Sequence, residues 1–379
     1  MLHSGGGVCL ELPTKLIGKI TYLTDRKDGR GVADMRKGLL AAGVAAVAVL
    51  AAGCSSSTAA SNGGSSPVVL RLGFLANITH EPALVGLEKN FFAKELGKDV
   101  TLKTSVFSSG TEETTALLSG QLDAAYVGPN PAINAWQKSN GTAVKIISGA
   151  TTGGASLVVK HGITSASQLK GKSLATPSLG NTQDVALRYW LKQHGLTTTP
   201  TGGGDVAIKP IKPNSAAVLE FKSGQIAGGW EPEPYATEMV LDGGTRLVNE
   251  SALWPAGQFV TTDLVVTQSF LKAHPSAVNG LLKGQIQTIS YINANGAAAA
   301  QAANTELTKL LGKGLKPDVL SQSLTYLHFT NDPVATSLTT DAQHAVAVGL
   351  LKPVSLNGIY DLGPLNALLK ADGQPQVAS

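Results

Sequence analysis

From Pro67 onward the chain alternates short β-branched runs with amphipathic helical runs, and it goes through that alternation twice. Strand patterns at 68–75, 100–107 and 124–127 are separated by helical patterns at 82–96, 111–118 and 131–138, with further strands at 144–147 and 156–159. A second round follows, with strands at 173–176 and 206–211, helices at 182–193 and 216–221, and a short strand around Gly229 and Trp230. After a strand at 261–267 the pattern is mostly helical, its longest run at 275–293. Strands alternating with helices of this length indicate βαβ units and largely parallel sheets, hence an α/β fold. At 379 residues, more than one domain is expected.

An internal echo relates the two rounds. Ser119-Gly120-Gln121-Leu122-Asp123-Ala124-Ala125 leads to Gly128-Pro129-Asn130-Pro131, and Ser223-Gly224-Gln225-Ile226-Ala227-Gly228-Gly229 leads to Glu231-Pro232-Glu233-Pro234. Each time a helix ends at Ser-Gly, a small-residue strand follows, and a proline-rich turn opens the next helix, in keeping with the capping preferences of glycine and proline. Two similar lobes with a cleft between them are expected.

The segment before Pro67 reads as an address. Arg36 and Lys37 precede an apolar run from Gly38 to Leu50, which is too short for a comfortable membrane span of about 20 residues. It ends Leu50-Ala51-Ala52-Gly53-Cys54, which resembles a bacterial lipobox, so Cys54 is the expected lipidation site and new N-terminus. Residues 55–66 are almost all Ser, Ala, Gly, Thr and Asn and read as a flexible tether. Met35 starts a normal signal, so residues 1–34 are expected to lie upstream of the true start. The expected division is 1–53 for the upstream segment and signal, 54–66 for the tether, 67–153 with 260–379 for lobe 1, and 154–259 for lobe 2.

Charge narrows the partners. The formal net charge is +4, but residues 1–53 carry seven basic and four acidic side chains, which leaves +1 for the rest. With no polybasic tract and only 5% aromatic residues, nucleic acid is not an expected partner. The two cysteines, Cys9 and Cys54, precede the globular region, so neither can staple or metallate its core. No phosphate-loop, nucleophile-elbow or H-E-x-x-H motif occurs, and no two histidines stand three or four apart; no metal or catalytic site is expected.

The sequence does offer polar, glycine-containing turns ahead of helices. Ser108-Ser109-Gly110-Thr111, Gly128-Pro129-Asn130-Pro131 and Ser178-Leu179-Gly180-Asn181-Thr182-Gln183 each precede a helical run and contain no Lys or Arg. Helix N-termini aim free N–H groups and a positive dipole end at whatever occupies such a turn. In open α/β sheets these turns sit where ligands bind, so three of them suit an anion held by neutral dipoles, such as a sulfonate. Each turn alone is equally a capped helix start. Asn77-Ile78-Thr79-His80-Glu81-Pro82 could line the same cleft or simply cap a helix, and Trp230-Glu231-Pro232-Glu233-Pro234 could offer an apolar wall and a carboxylate or lie in a core.

At these residues the chain resembles the periplasmic alkanesulfonate, taurine and nitrate binding family of ABC importers. The resemblance runs from about Val68 to Leu351 and rests on F-L-A-N-I-T-H-E-P-A-L-V-G-L-E-K-N-F-F, S-G-Q-L-D-A-A-Y-V-G-P-N-P-A, G-K-S-L-A-T-P-S-L-G-N-T-Q-D-V-A-L-R and W-E-P-E-P-Y-A. It implies a two-lobe periplasmic-binding-protein fold of the type II kind, no catalysis and no cofactor. It also implies a monomer that delivers a small anionic organic ligand to a membrane permease and its ATPase. Carried over, the sulfonate would meet Ser109, Gly110, Asn130, Asn181, Thr182 and Gln183, with Trp230 and Glu231 across the cleft and Asn77 and His80 at the organic end. The second lobe departs from the pattern, reading I-A-G-G where the first has L-D-A-A. A neutral or cationic ligand met by Glu231, Glu233 and Asp184 is the rival within the binding class, nitrate another, and a cell-envelope hydrolase the rival outside it.

Overall fold

The computed structural model describes residues 67–379; the expected signal, Cys54 and the tether lie outside the described residues. The alternation seen in the sequence folds as strands β1 (Val68–Leu75), β2 (Val100–Phe107), β3 (Ala124–Val127) and β4 (Val144–Gly153), with helices α1 (Glu81–Glu88), α2 (Phe91–Leu96), α3 (Gly110–Leu118) and α4 (Pro129–Lys138) between them. Then come β5 (Ala155–Lys160), β6 (Ser173–Thr176), α5 (Thr182–Gln193), β7 (Ala207–Pro210), α6 (Asn214–Lys222), β8 (Gly228–Pro232), α7 (Tyr235–Leu241) and β9 (Gly244–Asn249). The remainder is β10 (Val260–Thr267), α8 (Gln268–Ala273), α9 (Pro275–Ala294), α10 (Gly296–Leu311), α11 (Pro317–Leu324), β11 (Leu327–Phe329), α12 (Ala335–Ala347) and α13 (Gly363–Ala371).

These strands form two sheets, ordered β11-β4-β10-β3-β1-β2 and β7-β6-β8-β5-β9. Helices cover both faces of each, giving a two-lobe α/β fold. In the first lobe Leu70, Leu72 and Phe74 alternate along β1 into a core with α1, α2 and α9, while Ile133, Trp136, Ile146 and Leu338 pack the opposite face. In the second lobe Leu157, Leu187, Trp190 and Trp230 form one core and Val158, Phe221 and Met239 the other. Burying each of these large side chains contributes about 1.5–3 kcal/mol, so each lobe has the means to hold its own sheet.

Three expectations change. The single helix expected at 82–96 is two, because Asn90 takes a left-handed φ of 58° and turns the chain between α1 and α2. Strand β4 runs on to Gly153, six residues past the expected end at 147, because β10 and β11 flank it there. The sheets are mixed rather than largely parallel. β1 is parallel to β2 and β3, and β6 to β7 and β8, but β4 and β10 run antiparallel, as do β5 and β8.

The echo found in the sequence falls at equivalent places. In both sheets it supplies the strand beside the central parallel pair (β3 next to β1, β8 next to β6), and each preceding helix ends at a left-handed glycine, Gly120 or Gly224. The chain passes between sheets at Gly153-Gly154, both at positive φ, and again between β9 and β10. At the first passage a Cβ on Gly153 would strike the Tyr326 carbonyl and one on Gly154 the Leu327 side chain, so only glycine fits.

Candidate functional site

Where the two sheets face each other, the C-terminal strand ends and the helix starts behind them enclose a cleft. From the first lobe come Asn77, Thr79 and His80 ahead of α1, Ser109 and Gly110 at the start of α3, Gly128 and Pro131 at the start of α4, and Thr261 of β10. From the second come Asn181, Thr182 and Gln183 at the start of α5, Asn214 at the start of α6, and Pro177 and Pro232 at strand ends. Five helix N-termini thus converge on one space. The first turn of a helix has N–H groups with no partner inside the helix. Among the described residues no acceptor meets the N–H groups of Gly110, Thr111, Thr182 or Gln183. Free amides at two helix starts, one from each lobe, are an arrangement that can hold an anion.

Among the described residues no Lys, Arg, Asp or Glu lines the cleft. His80 is neutral, because burial lowers its pKa to about 3. Its Nδ1 accepts the Leu75 N–H at 3.2 Å, which leaves the proton on Nε2. With one nitrogen occupied and the other protonated, the ring can donate a hydrogen bond but has no free lone pair for general-base work. Beside it, burial pushes the Glu81 carboxyl up to about 8, so this neighbour is mostly neutral at pH 7. The field in the cleft therefore comes from backbone and hydroxyl dipoles.

The turn before α5 is held from beneath. The side chain of Asn181 caps the helix by accepting the Asp184 N–H at 3.0 Å. Asp184 in turn accepts from Thr176 Oγ1 at 3.0 Å, the Gly180 N–H at 2.9 Å and Arg188 Nε at 3.0 Å. Arg188 also donates to the Thr199 carbonyl. Both members of this ion pair are buried, so one partner without the other would leave a charge stranded in the core.

The lobes touch across the cleft. Asn134 Nδ2 donates to the Gly180 carbonyl at 3.3 Å, Tyr189 stacks on His344 with ring centres 3.6 Å apart, and the Arg246 guanidinium lies 3.8 Å above the Tyr326 ring. A Cβ on Gly128 would sit 2.6 Å from Thr182 Oγ1. The space left inside is only about 30 Å³, room for two or so waters at about 10–15 Å³ each. The cleft is narrow where the lobes meet. A larger groove of about 520 Å³ on the outer side of the first lobe, between α12 and residues 353–357, shares none of its lining residues.

Of the residues expected from the sequence, Asn77, His80, Ser109, Gly110, Asn181, Thr182 and Gln183 lie in this wall and three do not. Asn130 donates instead to the Asp341 carbonyl of α12 at 3.3 Å. Trp230 packs in the second lobe's core and donates Nε1–H to Glu250 at 2.6 Å. Glu231 is fully buried on the opposite face of β8, beside Gly229, with both oxygens unpartnered, and burial holds its pKa well above the carboxylate range. Only Pro232, where β8 ends, reaches the cleft. Glu233 is taken by Arg246 at 2.9 Å and Asp184 by Arg188, so neither meets a ligand amine. Thr79 and Gly128 stand in turns already singled out, whereas Asn214 and Thr261 stand outside them. The Pro213-Asn214-Ser215 turn is polar and precedes a helix but has no glycine, and Thr261 sits inside a buried strand with no local signal.

The described residues contain no helix long and apolar enough to cross a membrane. Among known proteins, the NMT1-like family matches residues 63–307. The taurine-binding periplasmic protein of Escherichia coli K12 is 29% identical over 208 residues, which is 54% of this chain and 61% of that relative, so the chain spans less than two thirds of its length. The alkanesulfonate-binding protein of Xanthomonas axonopodis pv. citri, solved with MOPS bound, superposes with a TM-score of 0.65 at 17% identity, covering 79% of this chain and 99% of that one. The periplasmic nitrate-binding protein of Synechocystis PCC 6803 superposes with a TM-score of 0.64 at 16% identity, covering 77% and 84%.

Proposed function

The chain belongs to the NMT1-like family, and from that premise we propose that it is the solute-binding component of an ABC importer that captures a small organic sulfonate. One observation carries the reading: five helix N-termini converge on a narrow cleft that, among the described residues, no charged side chain lines. A sulfonate is a weakly basic anion with three acceptor oxygens, and neutral donors can hold it without stranding a countercharge when it leaves. The taurine-binding relative, at 29% identity, supports the same ligand class.

Capture proceeds by hinge closure. The sulfonate binds the helix starts of one lobe and closure brings the other set onto it, so the ligand favours the closed state by the contacts made only there. The closed form then docks on a membrane permease driven by a cytoplasmic ATPase. The protein acts as a monomer outside the cytoplasm, tethered by a lipid on Cys54, without catalysis, as the neutral, singly available His80 favours. Mass spectrometry of the membrane-bound protein should find a diacylglyceryl group on Cys54 and its loss in Cys54→Ser; an unmodified cysteine overturns the tether.

A thermal-shift panel of methanesulfonate, taurine, sulfate, nitrate, short amines and pyrimidines tests the ligand class. A ligand at about 100 times its Kd adds about 2.7 kcal/mol of stability. Stabilisation by sulfonates supports the reading, and stabilisation only by amines or pyrimidines overturns it. Nitrate is the second reading, favoured by the narrow space of about 30 Å³; stabilisation by nitrate alone selects it.

A further inference from the structure

The cleft has room for a head group and little else, and a second, larger space adjoins it. This vestibule holds about 450 Å³ and shares Leu75, Asn77 and Asn214 with the cleft. That volume falls within the range of about 300–1,000 Å³ typical of small-molecule sites. Its walls come from both lobes. Val106 and Phe107 at the end of β2 and Leu311 at the end of α10 form one side, and Pro213 and Tyr235 form the other. Val106 is 43% exposed and Leu311 49% exposed, apolar surface that nothing else in the described chain covers. Charges are confined to Glu238, Lys313 and Lys316.

We infer that this vestibule receives the organic tail of the bound anion, and that the ligand is a sulfonate carrying an apolar tail, an alkyl chain of about four or more carbons or an aromatic ring, rather than a two-carbon amino sulfonate. The inference rests on the sulfonate reading above. The oxygens sit at the helix starts, the carbon next to sulfur passes Leu75 and Asn214, and the tail lies between the two lobes. Because each lobe supplies one wall, an apolar tail adds to closure by burying Val106 and Leu311 against itself. A tail ending in an amine meets one carboxyl group, Glu238, against two ammonium groups, Lys313 and Lys316, among the residues lining the vestibule.

The test is a calorimetric series on the protein from residue 67 onward, using methane-, butane-, hexane- and benzenesulfonate and taurine. Each methylene that becomes buried should tighten Kd by about fourfold, with hexanesulfonate and benzenesulfonate well ahead of taurine. Leu311→Gln, which adds no charge, should flatten that dependence, costing hexanesulfonate far more affinity than methanesulfonate. Methanesulfonate or taurine binding as tightly as hexanesulfonate overturns the vestibule while leaving the sulfonate reading intact. A chain-length dependence that survives Leu311→Gln and Val106→Gln also overturns it. No binding of any sulfonate overturns both.

Discussion

Thr182 Oγ1 and Gly128 face each other from opposite lobes so closely that a single methyl group on the glycine would lie 2.6 Å from the hydroxyl. One residue opens α5 and the other precedes α4, so the contact marks where two helix starts meet over the cleft. Gly128 has an ordinary extended conformation (φ −67°, ψ 157°), so it is glycine for proximity and not for backbone freedom.

Gly128→Ala therefore separates closure from folding. Alanine fits the backbone, and the variant should unfold at a denaturant concentration close to the parent's. The lobes should fail to meet. Ligand affinity should fall at least about tenfold, equivalent to about 1.4 kcal/mol, and X-ray scattering should show no compaction on adding ligand. Unchanged affinity with normal compaction would contradict the contact.

Thr182→Val keeps the side chain's shape and removes its hydroxyl. Among the described residues no protein group bonds that hydroxyl, so its loss strands nothing in the free protein. A hydrogen bond to a charged group contributes about 1.5–3 kcal/mol, so calorimetry should show sulfonate binding weakened by about 10- to 100-fold. Stability without ligand should stay within about 0.5 kcal/mol.

Asp184→Ala leaves Arg188 buried without its countercharge and frees the Gly180 N–H and the Thr176 hydroxyl. Breaking a buried pair in this way costs about 3–5 kcal/mol, measurable as a lower urea midpoint. Asp184→Leu with Arg188→Met should recover much of the stability and little of the binding, because the turn over the ligand loses its support either way. Full recovery of binding in the double variant would show that the pair does not position the turn.

Stability should decline between pH 5.5 and pH 8. Burial raises Glu250 to about 7 and Glu81 to about 8. Both stay protonated when folded over a range where the unfolded chain has lost its protons. Their stabilisation is complete below about 4.3, the unfolded value, and is lost as pH rises through 7 to 8. His80, held down at about 3, acts in the opposite sense: its contribution is full above about 6.5 and lost as pH falls toward 3. Above pH 6.5 only the acids titrate, each with a slope of up to about 1.4 kcal/mol per pH unit. Urea midpoints should therefore be lower at pH 8 than at pH 6.5, with the difference reduced in Glu250→Gln. A rise over that interval would contradict the burial of these carboxyls.

The parts of this fold that were legible in the sequence are those with local causes. The strands at 68–75 and 100–107 and the helix at 182–193 fall where the alternation put them, since apolar periodicity and caps are local properties. Strand direction is not local, and the antiparallel β4 and β10 made the sheets mixed. The small residues of Ser148–Gly153 lie beyond the strand expected at 144–147, and only β10 and β11 on either side make them strand. The helix starts of the site were readable because free N–H groups follow from the turn itself. Trp230 and Glu231 were misassigned because the pleat of β8 aims consecutive residues at opposite faces, and periodicity cannot say which strand end reaches a cleft. Thr261 needed the second lobe in place before it became part of a wall.

In the proposed function, neutral dipoles and not a charged side chain select an anion in this cleft. Calorimetric titration with butanesulfonate, butylammonium and butanol, alike in their carbon chains, tests it most directly. Butanesulfonate should bind 1:1, with affinity changing little from pH 6 to pH 8, and the other two should show no measurable binding. Binding of butylammonium in preference to the sulfonate would contradict it.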